Sequence, residues 1–214
     1  MGLSPREGRR WWITATSDSH VHYTRGGSDF WPGEYAKTRV YAARSYDDIL
    51  DGLRNGRIFV ATGDLISELY VTAESRGRRA SIGETLNLND NGRAAREVTI
   101  EIVFKPLDGV NARGEHPEVK RVDLISGRIG GAVTDRMTDT NSTTQVVKRF
   151  APGEWRRRGD VYVLTHTLRD VDGPMYLRVR GTSTTEEEPQ PDVRGEDPWS
   201  DLWFYSNPVF VRPT

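Results

Sequence analysis

The residues best suited to chemistry are Asp18, His20 and His22, which alternate in the run Asp18-Ser19-His20-Val21-His22. On an extended backbone, positions two apart project from the same face, so that one carboxylate and two imidazoles can converge. This donor set suits Zn²⁺, Mn²⁺ or Fe, and three ligands with an open position are what a catalytic metal needs. The spacing therefore predicts a divalent metal site at Asp18, His20 and His22. The alternative is a polar strand end in which Asp18 caps backbone N–H groups.

The chain contains two further histidines, and the sequence places both outside this set. His116 stands beside a proline in a polar stretch, and we expect it to be an exposed loop residue. His166 lies within an alternating apolar run, and we expect it to be buried or half buried. The sequence has no cysteine, which excludes disulfides, thiolate zinc sites and thiol nucleophiles.

The elements that must position the predicted metal ligands come from the first half of the chain. Residues 11–17, with the sequence WWITATS, predict a buried strand that leads directly into the predicted site. Ser45 then offers an N-cap oxygen to a helix that ends at Gly56, and strands are expected over residues 57–62 and 66–73. The apolar stripe of the helix consists of Ile49, Leu50 and Leu53.

The pattern changes near residue 90, after a polar, turn-rich stretch over residues 87–97. From there apolar and polar side chains alternate with a period of two, which is typical of half-buried antiparallel strands. The predicted strands cover residues 98–105, 119–125, 144–150, 161–168, 175–180 and 203–211. Short strands without an intervening helix favour a β-sandwich. The expected fold class is therefore α+β, with a small mixed α/β segment over residues 1–90 and an antiparallel β-sandwich over residues 91–214.

The composition argues against nucleic-acid binding and against a membrane protein. With 30 basic and 31 acidic residues, the chain has a formal net charge of −1 and no bulk attraction to nucleic acid. No apolar run approaches the roughly 18 residues that a membrane span needs, and the N-terminus has no secretory hydrophobic region. We therefore expect a cytoplasmic protein that binds neither nucleic acid nor a membrane.

Several stretches of the sequence together resemble a known family. They are SDSH at residues 17–20, DFWPGEYAKT at 29–38, GLRNGR at 52–57 and IFV at 58–60. In this order they are similar to the closing part of a PHP-type (polymerase and histidinol phosphatase) metal-dependent phosphoesterase. The terminal YSNPVFV, residues 205–211, resembles the last strand of PHP-like hydrolases that have a C-terminal β-domain.

The resemblance covers most of residues 11–70 and implies a role for two of the predicted ligands. Asp18 and His20 match the last Asp-x-His pair of the family, which binds metal at the C-terminal end of the final barrel strands. His22 is a further candidate ligand that the match does not assign. The resemblance also implies metal-assisted hydrolysis of a phosphoester. PHP-type sites take more His and acidic ligands from several other barrel strands, so this chain would hold only a partial site.

Most of such a barrel is missing, and residues 1–90 are therefore interpreted as its C-terminal remnant. The expected function is that of a PHP-like phosphoesterase or hydrolase fragment, incomplete or inactive as an isolated chain. Arg39 and Arg57 are candidates to bind an anionic substrate group, and no catalytic residue is assigned. A non-catalytic β-sandwich module for binding or oligomerisation is the alternative. An uncovered strand at residues 11–17 would favour self-association or a separate chain that supplies the barrel.

Overall fold

The computed structural model describes residues 7–17, 30–90, 93–94, 96–132, 140–187 and 197–213. The strands in these ranges are β1 (Ala36–Val40), β2 (Ile58–Thr62), β3 (Ile66–Ser75), β4 (Arg78–Ser81), β5 (Thr85–Asn87), β6 (Asn89–Asp90), β7 (Arg93–Ala94), β8 (Val98–Pro106), β9 (Arg121–Arg128), β10 (Gln145–Phe150), β11 (Arg156–Arg158), β12 (Val161–Leu168), β13 (Met175–Thr182), β14 (Trp203–Ser206) and β15 (Val209–Arg212). The helical elements are α1 (Tyr46–Arg54) and a 3₁₀ turn (Pro152–Glu154). The described chain is thus predominantly β-structure, and none of its helices has the length and apolarity that a membrane span requires.

The larger sheet joins strands from both ends of the chain. Across its width the order is β1, β2, β14, β13, β9 and β10, and each neighbouring pair is antiparallel. β14 and β15 lie in succession along β13, because Asn207 and Pro208 interrupt the pairing between them. On its other side β15 pairs in parallel with β5, a strand that lies before the residues 91–214 for which the sequence predicts an antiparallel sandwich.

The smaller sheet is antiparallel throughout, in the order β11, β12, β8, β3 and β4. The core lies between the two sheets, where their buried apolar side chains form a single cluster. Its members include Phe59, Leu69, Val71, Ile100, Ile102, Phe104, Leu124, Leu177, Val179 and Phe204. The β-rich fold expected from the alternating sequence is therefore confirmed, as two packed sheets.

Strands from both sides of residue 90 share each sheet. In the larger sheet β2 pairs with β14, and in the smaller sheet β3 pairs with β8. Each segment therefore contributes to the one core. The division at residue 90 and the barrel origin of residues 1–90 stay predictions.

Residues 11–17 are not the buried strand that their composition predicted. They form no strand, and Trp11 is 66% exposed. Their backbone groups bond to side chains instead: Ile13 N–H donates to Asn207 Oδ1, and Ala15 N–H donates to Thr38 Oγ1. The prediction was wrong because aromatic and β-branched residues occur both in strands and in segments that pack on the face of a sheet without pairing, as residues 11–17 do here.

Helix α1 begins where the sequence predicted. Ser45 Oγ accepts a hydrogen bond from Asp48 N–H at 3.2 Å, the geometry of an N-cap. The helix ends at Arg54. Gly56 follows with a φ of +69°, a left-handed conformation that favours glycine. Its apolar side is open, because Ile49 and Leu50 are each 41% exposed.

Candidate functional site

The predicted metal ligands Asp18, His20 and His22 lie outside the described residues. Within the described part of the chain, no group of three or more His, Asp or Glu side chains is arranged to hold a metal ion. What bears on a metal is therefore the type of donor atom that Asp18, His20 and His22 offer. One carboxylate and two imidazoles are suitable ligands for Zn²⁺, Mn²⁺ or Fe.

The segment that leads to these ligands, residues 7–17, crosses the outer face of the larger sheet. We define the outer face as the side of that sheet that points away from the core. The Trp12 indole N–H donates to the Arg54 carbonyl at 2.8 Å, and its ring meets Phe210 edge-on with centroids 6.3 Å apart. Ile13 N–H donates to Asn207 Oδ1 at 2.8 Å. The segment is therefore attached to both the helix end and the C-terminal strands.

Ala15 attaches this segment to the edge of the larger sheet. Thr38 Oγ1 lies 2.8 Å from the Ala15 nitrogen, from which it accepts a hydrogen bond, and 2.8 Å from the Ala15 carbonyl oxygen, to which it donates. Thr38 is the middle residue of β1, an edge strand of the larger sheet. The chain is thus fixed to this edge three residues before the first predicted ligand.

Arg39, a candidate substrate-binding residue, is engaged in an ion-pair cluster. Its Nη2 lies 2.8 Å from Asp64 Oδ1, and Lys37 Nζ lies 2.5 Å from Asp64 Oδ2. Asp64 is 8% exposed and sits in a turn with φ of +53°. Two cations therefore share one carboxylate. Among the described residues, the buried Nε of Arg39 has no hydrogen-bond partner.

Arg57, the second candidate, lines a cavity of about 270 Å³ with Tyr41, Tyr70 and Glu84. Its Nη2 lies 2.5 Å from Asp51 Oδ2. The Tyr41 hydroxyl is buried without a hydrogen-bond partner in the described part of the chain. Burial is the main reason why the pKa of Tyr41 is raised far above that of an ordinary phenol. The cavity thus combines a guanidinium, a carboxylate and phenol groups.

The two candidate arginines share one side of the sandwich edge. Arg39 pairs with Phe59 across β1 and β2, and Tyr41 N–H donates to the Arg57 carbonyl. Since positions two apart share a face, Arg57 points to the same side as Phe59, which belongs to the core. Thr38, where Ala15 is attached, points to the opposite side. The structure therefore places Arg39 and Arg57 on one side of the β1–β2 pair, each engaged with a different carboxylate, and the segment leading to Asp18 on the other side.

Four arginines of β9, β10 and β13 lie on the outer face, and sequence reasoning missed them. They alternate with core residues on β9, β10 and β13, and we call them the arginine face: Arg121, Arg149, Arg178 and Arg180. Asp123 lies among them and is 1% exposed. Its carboxylate oxygens lie 3.0 Å from Arg121 Nε and 2.9 Å from Arg180 Nε, and Arg149 Nε is at 3.8 Å. A single buried carboxylate thus interacts with three guanidinium groups.

Two of these arginines also bind the loop that follows β13. Arg121 Nη1 donates to the Thr185 and Glu186 carbonyls, and its Nη2 donates to the Glu187 carbonyl at 3.0 Å. Arg180 Nη2 donates to the same Glu187 carbonyl at 2.9 Å. The donors of Arg121 and Arg180 are thus used by the protein itself.

Arg178 differs from these neighbours. It lies opposite Ile125 of β9 and is partly exposed. Among the described residues, no carboxylate forms an ion pair with it. Burial lowers the pKa of the Arg178 guanidinium, and nearby Tyr176 and Tyr205 partly offset that effect. The group nevertheless stays protonated at neutral pH, so a positive charge is held in a partly desolvated position without a described counter-ion.

A signal for the arginine face was present in the sequence. In Met175–Thr182, arginines at positions 178 and 180 alternate with Leu177 and Val179. Once those two apolar residues are assigned to the core, the arginines must point the other way. The periodicity alone does not reveal that this opposite face is itself largely buried.

Comparisons of this chain with protein-family models, with curated proteins and with solved structures found no match.

Proposed function

We propose that this chain is part of a PHP-like metal-dependent phosphoesterase, in which Asp18 and His20 hold a divalent metal together with ligands from barrel strands that these residues do not supply. The observation that carries the proposal is the attachment of Ala15 to Thr38, with 2.8 Å contacts from Thr38 Oγ1 to both polar backbone atoms. It holds residues 7–17 on the outer face, which also carries the arginine face and is opposite to Arg39 and Arg57. Guanidinium groups suit the recognition of a phosphoryl substrate.

The chemistry divides between the metal and the chain. A divalent cation held by Asp18 and His20, with His22 as a further candidate ligand, would supply Lewis-acid stabilisation of the phosphoryl oxygens. The chain's own contacts hold residues 7–17 against the sheet. Arg39 and Arg57 remain candidates to bind an anionic group from the inner side of the β1 edge.

Metal binding tests this proposal directly. The full chain is titrated with Zn²⁺ and with Mn²⁺ by calorimetry, and the retained metal is measured by elemental analysis after dialysis. We expect binding in the unaltered chain and at least about tenfold weaker binding in His20→Ala, because removing a ligand costs no less than removing its support. His116→Ala is the matched control, since His116 is an exposed loop residue. Equal metal binding by the unaltered chain and His20→Ala contradicts the proposal.

Hydrolysis gives a second measurement. The metal-loaded chain is incubated with bis(p-nitrophenyl) phosphate, and p-nitrophenol release is followed. We expect weak hydrolysis that depends on the metal and falls in His20→Ala, because a partial site holds the cation without the other family ligands. A chain that neither binds metal nor hydrolyses this ester is not part of a phosphoesterase.

A separate observation favours a second candidate function, a non-catalytic β-sandwich module that self-associates. The open side of α1 presents Tyr46 at 87% exposure and Ile49 and Leu50 at 41% each, and Trp11, elsewhere on the surface, is 66% exposed. Apolar groups of this size are usually covered by a partner, and the occupant we propose is a second copy of the chain. Light scattering coupled to gel filtration tests it: a dimer that dissociates in Leu50→Glu supports self-association, and a monomeric unaltered chain excludes it.

A further inference from the structure

We propose that the cavity beside Tyr41 binds a small, uncharged aromatic molecule with a carbonyl group, whose oxygen accepts a hydrogen bond from the Tyr41 hydroxyl. We call this space the Tyr41 cavity. It is the volume of about 270 Å³ that is lined by Tyr41, Arg57, Tyr70 and Glu84, among others. The inference goes beyond the proposed function, because it concerns neither the metal ligands nor a phosphoryl group.

The first argument is the Tyr41 hydroxyl. Its oxygen is buried, and it has no hydrogen-bond partner among the described residues. A buried polar group without a partner is costly, because the hydrogen bonds it made to water are not replaced. Burial raises the pKa of Tyr41 above that of an ordinary phenol, so the hydroxyl keeps its proton at neutral pH. The Tyr41 hydroxyl is therefore a hydrogen-bond donor, and a carbonyl oxygen in the cavity supplies the acceptor.

The second argument is the aromatic and apolar character of the walls. The ring centroids of Tyr41 and Tyr70 lie 5.6 Å apart, with the ring planes tilted by 52°. The Tyr70 hydroxyl donates to Glu68 Oε2 at 3.0 Å, which orients the Tyr70 ring. Two buried side chains, Val71 and Ile82, contribute apolar surface to the same lining. A flat aromatic molecule suits such walls, because its ring buries a large apolar area against them.

The third argument is the balance of charge, which favours an uncharged ligand. The lining contains one guanidinium, from Arg57, and one carboxylate, from Glu84. Two further carboxylates contact the lining: Asp51 lies 2.5 Å from Arg57 Nη2, and Glu68 accepts a hydrogen bond from Tyr70. These described groups have an excess of negative charge, which disfavours an anion. A cation is disfavoured in turn, because it would lie beside the Arg57 guanidinium.

The fourth argument is that one wall of the cavity is fixed in place. The Ser81 N–H donates to Glu84 Oε2 at 2.8 Å, and the Glu84 N–H donates to the Ser81 carbonyl at 2.9 Å. Between them, the Gly83 N–H donates to the Pro208 carbonyl at 2.9 Å, which ties this turn to the C-terminal strands. Ligand sites are usually preformed and have volumes of about 300 Å³ or more. A preformed cavity of about 270 Å³ therefore suits a ligand no larger than one substituted ring.

The test is a titration of the full chain with benzamide, followed by ligand-observed NMR. We expect saturable binding by the unaltered chain and about three- to tenfold weaker binding by Tyr41→Phe, because that variant keeps the ring and loses one uncharged hydrogen bond. Tyr162→Phe is the matched control and should bind as the unaltered chain does. Tyr162 also packs against the core, but it lies on β12, two strands from β3. No binding by the unaltered chain, or equal affinity in Tyr41→Phe, overturns the inference.

A variant that fills the cavity tests the location of the ligand. Thr72 lines the cavity on β3, and phenylalanine is well tolerated in strands. We expect Thr72→Phe to abolish benzamide binding, because the added ring occupies the space. Thr165→Phe is the control, since Thr165 is exposed on β12 and is aligned with Thr72 through Glu101 of β8. Benzamide binding that persists in Thr72→Phe overturns the inference.

Two charged analogues of benzamide test the charge of the ligand. Benzoate is an anion of nearly the same shape, and benzylamine is a cation at neutral pH. We expect both to bind more weakly than benzamide, because benzoate meets the excess of carboxylates and benzylamine lacks the carbonyl oxygen. Equal or tighter binding of either analogue overturns the assignment of an uncharged ligand.

Thermal unfolding distinguishes a binding role of the Tyr41 hydroxyl from a structural one. Without benzamide, we expect Tyr41→Phe to unfold at the same temperature as the unaltered chain or at a higher one, because an unpartnered buried hydroxyl has been removed. Saturating benzamide should then raise the unfolding temperature of the unaltered chain more than that of Tyr41→Phe. A lower unfolding temperature of Tyr41→Phe without benzamide indicates a structural role and overturns the inference.

Discussion

Asp123 is the residue on which the arrangement of the arginine face depends. Its carboxylate is 1% exposed and lies within 3.0 Å of Arg121 Nε and 2.9 Å of Arg180 Nε. Replacing it by asparagine leaves both guanidinium groups buried beside a neutral amide. We expect Asp123→Asn to lower the free energy of unfolding by about 3–5 kcal/mol, measured by urea denaturation.

An exposed ion pair gives the matched control for this change. Asp172 lies 2.9 Å from Arg128, and both side chains are about 60% exposed. We expect Asp172→Asn to cost no more than about 1 kcal/mol, because water screens an exposed pair. Equal costs for the two variants would mean that burial at Asp123 does not strengthen its interactions.

The sequence predicts the burial of a single residue better than it predicts the residues that surround it. His116 is exposed and His166 is half buried, as expected, because the polarity of their neighbours sets their burial. Arg178 was missed, because its surroundings are assembled from β9, β13 and β14, which are distant in sequence. Asp18, His20 and His22 lie outside the described residues, so the metal site stays a prediction.

At the scale of elements, local pattern predicts strands where the pairing is regular. The strand expected over residues 161–168 is β12, with the same bounds, and the one expected over 66–73 extends to Ser75. The strand expected over 203–211 is divided, because Pro208 has no N–H to donate and Asn207 bonds elsewhere through its side chain. Register interruptions of this kind depend on tertiary contacts that periodicity does not report.

The turn between β4 and β5 shows how two elements are brought close together. Gly83 has φ of +86°, and a Cβ built there would lie 2.2 Å from the Asn55 carbonyl oxygen at the end of α1. Gly77 has a similar φ of +77°, but nothing lies within 4 Å of the corresponding Cβ. The two glycines therefore share a backbone conformation and differ in the space around them.

This pair provides a test of the helix position. We expect Gly77→Ala to cost about 1–2 kcal/mol, the penalty of the left-handed conformation. Gly83→Ala should cost about 1–3 kcal/mol more than Gly77→Ala, because the added Cβ would meet the Asn55 carbonyl and force the backbone to shift. Urea denaturation of both variants measures the difference. Equal costs would show that α1 does not pack against this turn as described.

At the scale of the whole molecule, the β-rich class follows from alternating apolar residues, whereas the pairing partners do not. The sequence predicted the strands of residues 91–214 as a sandwich on their own. In the structure, β3 lies beside β8 and β2 beside β14, so that strands from the first 90 residues complete both sheets. Side-chain alternation defines which face of a strand is buried but not which strand lies next to it.

The sharing of sheets leads to a prediction about the chain divided at residue 90. A polypeptide of residues 91–214 lacks β3, which leaves the edge of β8 unpaired, and it loses core side chains such as Phe59, Leu69 and Val71. We expect this polypeptide to show no cooperative thermal unfolding and no near-ultraviolet circular dichroism, because its two sheets are incomplete. Co-expression with residues 1–90 should restore both signals towards those of the intact chain. A sharp transition in residues 91–214 alone would instead mean that the sandwich is an independent domain and that the contacts of β2 and β3 add little to its stability.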